Sequence, residues 1–148
     1  MLDIKVLRPS DTVGLVEMEQ VRDFLFDHLD QYGDLREDIM KAINYALNIG
    51  ITPGGYVVVG RDEGEIVGAV VVNKTGMDGY IPENILVYIA AHREKRGKGY
   101  GKAMMQKAIE TAEGNIALHV EPDNPARHLY EKLGFTNKYL EMRLIKSS

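Results

Sequence analysis

The segment at residues 96–102 combines residue types that bind phosphate groups. It reads Arg-Gly-Lys-Gly-Tyr-Gly-Lys and follows an apolar run at residues 85–91. Glycines let a backbone approach a ligand closely, and lysine and arginine add charge-assisted hydrogen bonds. Helical periodicity follows at residues 102–113, and the free N–H groups and positive dipole end of such a helix favour an anion. The segment therefore predicts a phosphate-binding turn between a strand and a helix.

The glycine spacing distinguishes among phosphate ligands. A dinucleotide-binding turn has the pattern G-x-G-x-x-G, but the sixth position counted from Gly97 is Lys102. A P-loop needs Gly where Arg96 stands and Ser or Thr where Ala103 stands. The pattern that fits is R-x-x-G-x-G, from Arg96 to Gly101, after an apolar strand. This spacing disfavours a nucleotide-dependent oxidoreductase.

The charge distribution points to the same segment. The chain of 148 residues has a formal net charge of −4, yet residues 92–102, which we call the basic island, hold five Lys or Arg residues and one Glu. A short basic island in an acidic protein favours a small anionic ligand and argues against a nucleic-acid partner.

Composition excludes several further classes of protein. The absence of Cys excludes disulfides, thiolate metal sites and a catalytic thiol. The histidines have no spacing typical of a metal site, so we expect no metal. No apolar run reaches the roughly 18 residues that a membrane span needs, so we expect a cytoplasmic protein without a membrane partner. The length predicts a single domain over residues 1–148.

Hydrophobic periodicity predicts the strands and helices that must position the turn. The expected elements are a strand at 2–7, a helix capped by Ser10 and Asp11, a helix from Asp34, strands at 56–59, 66–72 and 85–91, a helix at 102–113, a strand at 116–120, a helix opened by residues 123–125 and a strand at 139–146. Asp34 and Glu37 have the spacing of a capping box, and Gly68 indicates a bulge or a close backbone approach. This order predicts a mixed α/β fold with one layer of sheet and helices on both sides.

Two motifs together resemble the GNAT superfamily of CoA-dependent N-acetyltransferases. The first is the turn itself, which fits the family's Q/R-x-x-G-x-G/A signature. The second is the strand at 116–120 followed by Asn124-Pro125-Ala126 and, at residues 129–135, by Leu-Tyr-Glu-Lys-Leu-Gly-Phe. The resemblance implies a central, mostly antiparallel sheet with helices on both faces. It also implies a splayed pair of parallel strands, those at 85–91 and 116–120.

The resemblance further implies a reaction and its cosubstrate. The protein would transfer an acetyl group from acetyl-CoA to a primary amine by direct attack through a tetrahedral intermediate. Backbone groups of the fourth strand would pair with the pantetheine arm, and the turn would hold the pyrophosphate. The residues implied to bind acetyl-CoA are Ile89, Ala91, Arg96, Gly97, Lys98, Gly99, Tyr100, Gly101, Lys102 and Asn124.

The resemblance implies catalytic roles for several residues, and each of these residues also has a structural interpretation. Tyr130 stands where the family places a general acid, and a phenol can donate a proton to a departing thiolate, but it is also a candidate core aromatic. The fourth strand has no carboxylate to serve as general base, which leaves Glu83 just before it and His119 on the neighbouring strand. Glu83 is alternatively a loop carboxylate, His119 a core histidine and Asn124 a helix cap. Tyr88 is a further candidate to line the acceptor pocket.

The acceptor and the partners are left open. The acidic first helix suits a cationic amine, which can be a small molecule or a peptide. The family resemblance also allows a homodimer. The main alternative function is a catalytically inactive CoA-binding sensor or interaction module on the same fold, because the fourth strand lacks a carboxylate.

Overall fold

A five-stranded sheet organises the first part of the chain in the computed structural model, which describes residues 1–147. The strands are β1 (Leu2–Leu7), β2 (Gly55–Asp62), β3 (Glu65–Lys74), β4 (Asn84–Ala91) and β5 (Ile116–Leu118), and they lie side by side in that order. All neighbours are antiparallel except β4 and β5, which are parallel. The predicted fold class, a mixed α/β fold with a mostly antiparallel sheet and one parallel pair, is confirmed.

Helices cover both faces of this sheet, as the sequence predicts. Helices α1 (Leu15–His28) and α2 (Arg36–Ala46) pack on one face, where Val57 and Val59 join their apolar residues in the main core cluster. Successive side chains of a strand point to opposite faces, so Tyr56 points to the other face. There its hydroxyl donates to Ala108 O of helix α3 (Tyr100–Thr111) at 2.7 Å.

Glycine in the two central strands makes room for helix α3. A Cβ at Gly68 would lie 2.8 Å from Cγ of Met104, and one at Gly60 would lie 2.7 Å from its Sδ. The predicted close approach at Gly68 is therefore confirmed. The register also shifts between Gly60 and Arg61, which leaves Val67, directly before Gly68, as an extra residue of β3.

The predicted caps of the first two helices are wrong. Helix α1 begins after Gly14, and the Asp11 carboxylate instead accepts from the Arg8 N–H at 2.8 Å in the preceding turn. Helix α2 begins at Arg36 with no side-chain cap, so the capping box of Asp34 and Glu37 does not form. The physical reason is competition, because the Asp34 carboxylate accepts a hydrogen bond from a buried tyrosine of the sheet.

The chain divides into two compact units, Met1–Leu118 and the residues from His119 onward. The second unit contains helix α4 (Ala126–Lys132). The strand predicted at residues 139–146 is wrong, since that stretch has no regular structure and Leu140, Met142 and Leu144 are more than 80% exposed. Alternating hydrophobic residues give a segment one apolar side, but a strand also needs a neighbouring strand to bond its N–H and C=O groups. In the described residues this stretch pairs with no strand. A single domain over residues 1–148 stays a prediction.

No helix in residues 1–147 is both long enough and apolar enough to cross a membrane.

Candidate functional site

Strand β4 is irregular at its centre. Val71 of β3 faces Tyr88, but the next residue, Val72, faces Leu86, so Val87 is an extra residue of β4. Such a bulge bends the strand and increases its local twist. Pairing with β5 covers only residues 84–86 of β4, so within Met1–Leu118 the rest of that edge of β4 is not paired. The parallel pair therefore stops just where β4 bends.

The backbone of β4 presents hydrogen-bonding groups to this unpaired edge. The His92 N–H donates to Val67 O of β3 at 2.9 Å. Backbone groups alternate between the two edges of a strand, so those of Ala90 also face β3. The N–H and C=O groups of Ile89 and Ala91 consequently face the opposite edge. These are the two residues predicted to pair with an extended ligand.

The turn after β4 has the backbone conformation that its glycines predict. Gly97 and Gly99 have φ of +89° and +80°, and a Cβ at either position would meet nothing within 4 Å. Gly99 is the N-cap of helix α3, and no side chain caps that helix. The N–H groups of Tyr100, Gly101 and Lys102 therefore have no partner within the helix. The turn combines open space above it with free donors, which fits the phosphate groups of CoA.

The cations of the basic island have different surroundings. Arg93 and Arg96 both contact Asp30, at 3.5 and 3.3 Å, and Lys95 contacts Glu65 at 2.7 Å. Lys98 and Lys102 form no ion pair within residues 1–147. The island predicted from the sequence is thus partly neutralised, and its two unpaired charges lie on the glycine-rich turn itself.

Two histidines in ring contact, tilted by 38° to each other, link the segment before the turn to helix α1. The His28 and His92 ring centroids are 4.2 Å apart, and Nδ1 of each ring accepts a backbone N–H, from Arg93 and Glu94 respectively. Burial, together with the neighbouring His92 and Arg93, lowers the pKa of His28. The Arg96 guanidinium also donates to the His28 carbonyl at 3.2 Å. The Arg96 predicted to hold phosphate therefore also ties the turn to α1.

Glu83 directly precedes the first residue of β4, whereas the turn lies beyond the other end of that strand. Its carboxylate accepts the N–H of Asn115 at 2.6 Å and that of Gly79 at 3.2 Å. These bonds lower the pKa of Glu83 and make it a weaker base. The geometry favours the loop-holding alternative for this residue.

The other predicted residues lie in the second unit. Tyr130 is buried on helix α4, and burial raises the pKa of its phenol to about 12. His119 is exposed, so the alternative of a core histidine is wrong. The side-chain oxygen of Asn124 accepts the N–H of Ala126 at 2.9 Å, directly before α4, but the N-cap of that helix is Pro125 and no side chain caps it, so the predicted N-cap lies one residue too early.

Sequence reasoning missed the partner of Tyr88. The Tyr88 hydroxyl donates to Asp34 Oδ2 at 2.5 Å, across 54 residues of sequence. Burial and Asp34 raise the pKa of Tyr88, which therefore stays a neutral donor. The one available signal was a tyrosine within an otherwise aliphatic strand, since a buried phenol needs a hydrogen-bond partner.

Comparison with known proteins identifies the family. Residues 17–135, most of the chain, match the Acetyltransferase (GNAT) family. The chain belongs to the GNAT acetyltransferase family. Membership confirms the family predicted from the sequence and its class of enzyme, the acyltransferases.

One curated relative of this GNAT protein is the 5-NmdU N-acetyltransferase of Pseudomonas phage PaMx11. The two are 32% identical over 84 residues, which cover 55% of this chain and 58% of the phage protein. The match therefore spans little more than half the length of that relative.

Solved structures share the fold of the GNAT chain at low identity. An aminoglycoside acetyltransferase from an uncultured soil metagenomic sample has a TM-score of 0.68 and 19% identity, over 99% of each chain. The aminoglycoside N-acetyltransferase AAC(6')-Iy, solved in complex with CoA, has a TM-score of 0.69 and 14% identity, over 100% of this chain and 96% of its own.

Proposed function

We propose that this GNAT protein transfers the acetyl group of acetyl-CoA to a primary amine. The observation that carries the proposal is the edge of β4 beyond Leu86, which is unpaired within Met1–Leu118 and is followed, after one 3-10 turn at Arg93–Lys95, by a glycine-rich turn whose N–H groups have no partner within helix α3. The edge would hold the pantetheine arm through Ile89 and Ala91. The turn, with Lys98 and Lys102, would hold the phosphates.

The reaction assigned to this arrangement is direct transfer. The neutral amine attacks the thioester carbonyl, so a C–N bond forms and the C–S bond breaks. The departing sulfur takes a proton from Tyr130, which regains one from solvent. Because its pKa is raised to about 12, Tyr130 holds its proton throughout the neutral range.

A base must remove the proton that the amine loses. Of the two candidates, Glu83 is occupied by two backbone N–H groups. His119 is exposed and has no ion-pair partner within residues 1–147. We therefore assign the base to His119 ahead of Glu83.

The proposal is tested with the whole protein, acetyl-CoA and a panel of amines that includes aminoglycosides, a polyamine and a lysine peptide. We expect release of free CoA thiol above the rate of hydrolysis, with a matching mass increase of one acetyl group on an amine. Acetyl-CoA binding without thiol release for any amine would instead support the alternative of a CoA-binding sensor or interaction module. The His119→Gln variant should alter the pH dependence of turnover, whereas Glu83→Gln should keep it.

A further inference from the structure

The carboxylate that strand β4 lacks is brought to it from a distant loop. Asp34 lies in the connection that precedes helix α2, and its Oδ2 accepts the Tyr88 hydroxyl at 2.5 Å. Tyr88 directly follows the bulge at Val87 and directly precedes Ile89. Through its hydrogen bond to Tyr88, the Asp34 carboxylate is therefore held close to the point where β4 stops pairing with β5.

The surroundings of Asp34 leave it able to receive a cation. Asp34 is exposed, whereas Tyr88, which holds it, is only 8% exposed. Within residues 1–147, Asp34 Oδ1 has no hydrogen-bond donor and the carboxylate forms no ion pair. The nearest cation in sequence, Arg36, is engaged by Asp23 and Asp27, at 3.1 and 3.9 Å. A neutral donor therefore orients the carboxylate, and its charge stays uncompensated.

A structural role alone explains this arrangement less well. A helix-capping Asp would turn towards the first N–H groups of α2, but that helix has no side-chain cap. A buried ion pair would have a cation beside it, and none is present in the described chain. The bond to Tyr88 instead fixes one carboxylate oxygen and leaves the other without a donor in the described residues.

We propose that Asp34 is the residue that binds the ammonium group of the acceptor, and that Tyr88 positions it. The inference rests on the proposed acetyl transfer and deepens it, because it makes the acceptor a cationic amine. The ammonium binds to Asp34 as an ion pair with N–H···O bonds, and before attack it loses a proton to the base, which the proposed function assigns to His119. Asp34 sets recognition of the acceptor, and it leaves the binding of acetyl-CoA untouched.

The test compares Asp34→Asn with Asp38→Asn, a matched variant four residues later in the first turn of α2, which removes one charge from a pair with the exposed Lys41. The acceptors are an aliphatic amine, cationic at neutral pH, and an acid hydrazide, neutral there. We expect Asp34→Asn to raise KM for the aliphatic amine roughly 10- to 100-fold, the worth of a charged hydrogen bond. KM for the hydrazide and Kd for acetyl-CoA stay within about twofold. Tyr88→Phe should give a smaller rise for the aliphatic amine alone.

The outcomes separate this inference from the function on which it rests. A wild-type protein inactive with every amine overturns the proposed transfer and this inference with it. An active wild type with unchanged KM in Asp34→Asn overturns the inference alone. So does an equal rise in KM for both acceptors, or an equal effect of Asp38→Asn, because either result marks a general structural change. Thermal unfolding of each variant verifies that it is folded.

Discussion

The glycine-rich turn at residues 96–102 lies beyond the end of β4, whereas the Asp34–Tyr88 pair joins the interior of β4 to the connection before α2, and the two are built in different ways. The turn is made of backbone: its donors are N–H groups, and two glycines with positive φ shape it. The pair is made of side chains that lie 54 residues apart in sequence. A backbone site leaves a local pattern in the sequence, whereas a pair of distant side chains leaves none.

Replacing Gly99 by valine should have the largest effect. Its φ is +80°, which a β-branched residue avoids, and a side chain there would occupy the open space above the turn. We expect the affinity for acetyl-CoA, measured by calorimetry, to fall at least about 100-fold. The matched control is Gly50→Val, since Gly50 has φ of +96° and equally open surroundings after α2. If Gly50→Val lowered the affinity for acetyl-CoA equally, the loss in Gly99→Val would be due to backbone strain and not to the turn.

Replacing Tyr130 by phenylalanine tests side-chain chemistry without touching the turn. Loss of the phenolic proton should lower kcat about 10- to 100-fold and leave Kd for acetyl-CoA unchanged. Because the pKa of Tyr130 is raised to about 12, wild-type kcat should show no loss from its deprotonation up to about pH 10. The control is Tyr139→Phe, whose residue is 78% exposed. Wild-type turnover in Tyr130→Phe would remove the residue from the mechanism and leave it as a core aromatic.

The cations of the basic island should separate into two groups. Replacing Lys98 or Lys102 by glutamine should weaken the affinity for acetyl-CoA about 5- to 10-fold, because each replacement removes a charge on the turn that has no ion-pair partner in residues 1–147. Replacing Lys95, which is paired with Glu65 at 2.7 Å, should change the affinity by less than about twofold. The loss for Lys98 and Lys102 should shrink as salt is added. Equal losses for all three would show that net charge, and not position, controls binding.

The smallest expected effect is a pH dependence of stability from His28. Its pKa is lowered in the fold, so the unfolded chain takes up the proton first as the pH falls below about 6.5. Stability is therefore complete above that pH and is lost as the pH falls towards the lowered value. Between pH 7.5 and 5.5, the wild-type Tm should fall about 2 °C further than that of His28→Gln. His128→Gln, which changes an exposed histidine, should behave like wild type.

The elements that could be predicted are those that depend on a short, continuous stretch of sequence. The bounds of β1 and the glycine turn follow from alternation and from conformations open mainly to glycine. The caps at Asp11 and Asp34 were wrong because each carboxylate found another hydrogen-bond donor. The prediction of a strand at residues 139–146 was wrong because alternating hydrophobic residues do not guarantee a neighbouring strand with which to pair. The bulge at Val87 could not be predicted, since register depends on two strands at once.

The same division holds for function. The glycine-rich turn and the second motif, within residues 116–135, together predicted the family, because each motif is a continuous local pattern that needs no distant partner. Folding added what no local pattern carries. It paired Arg93 and Arg96 with the one carboxylate of Asp30 and Lys95 with Glu65, left Lys98 and Lys102 without an ion pair in residues 1–147, and placed Asp34 against Tyr88. Charges and hydrogen bonds act through space and not along the chain, so only the folded protein assigns their partners.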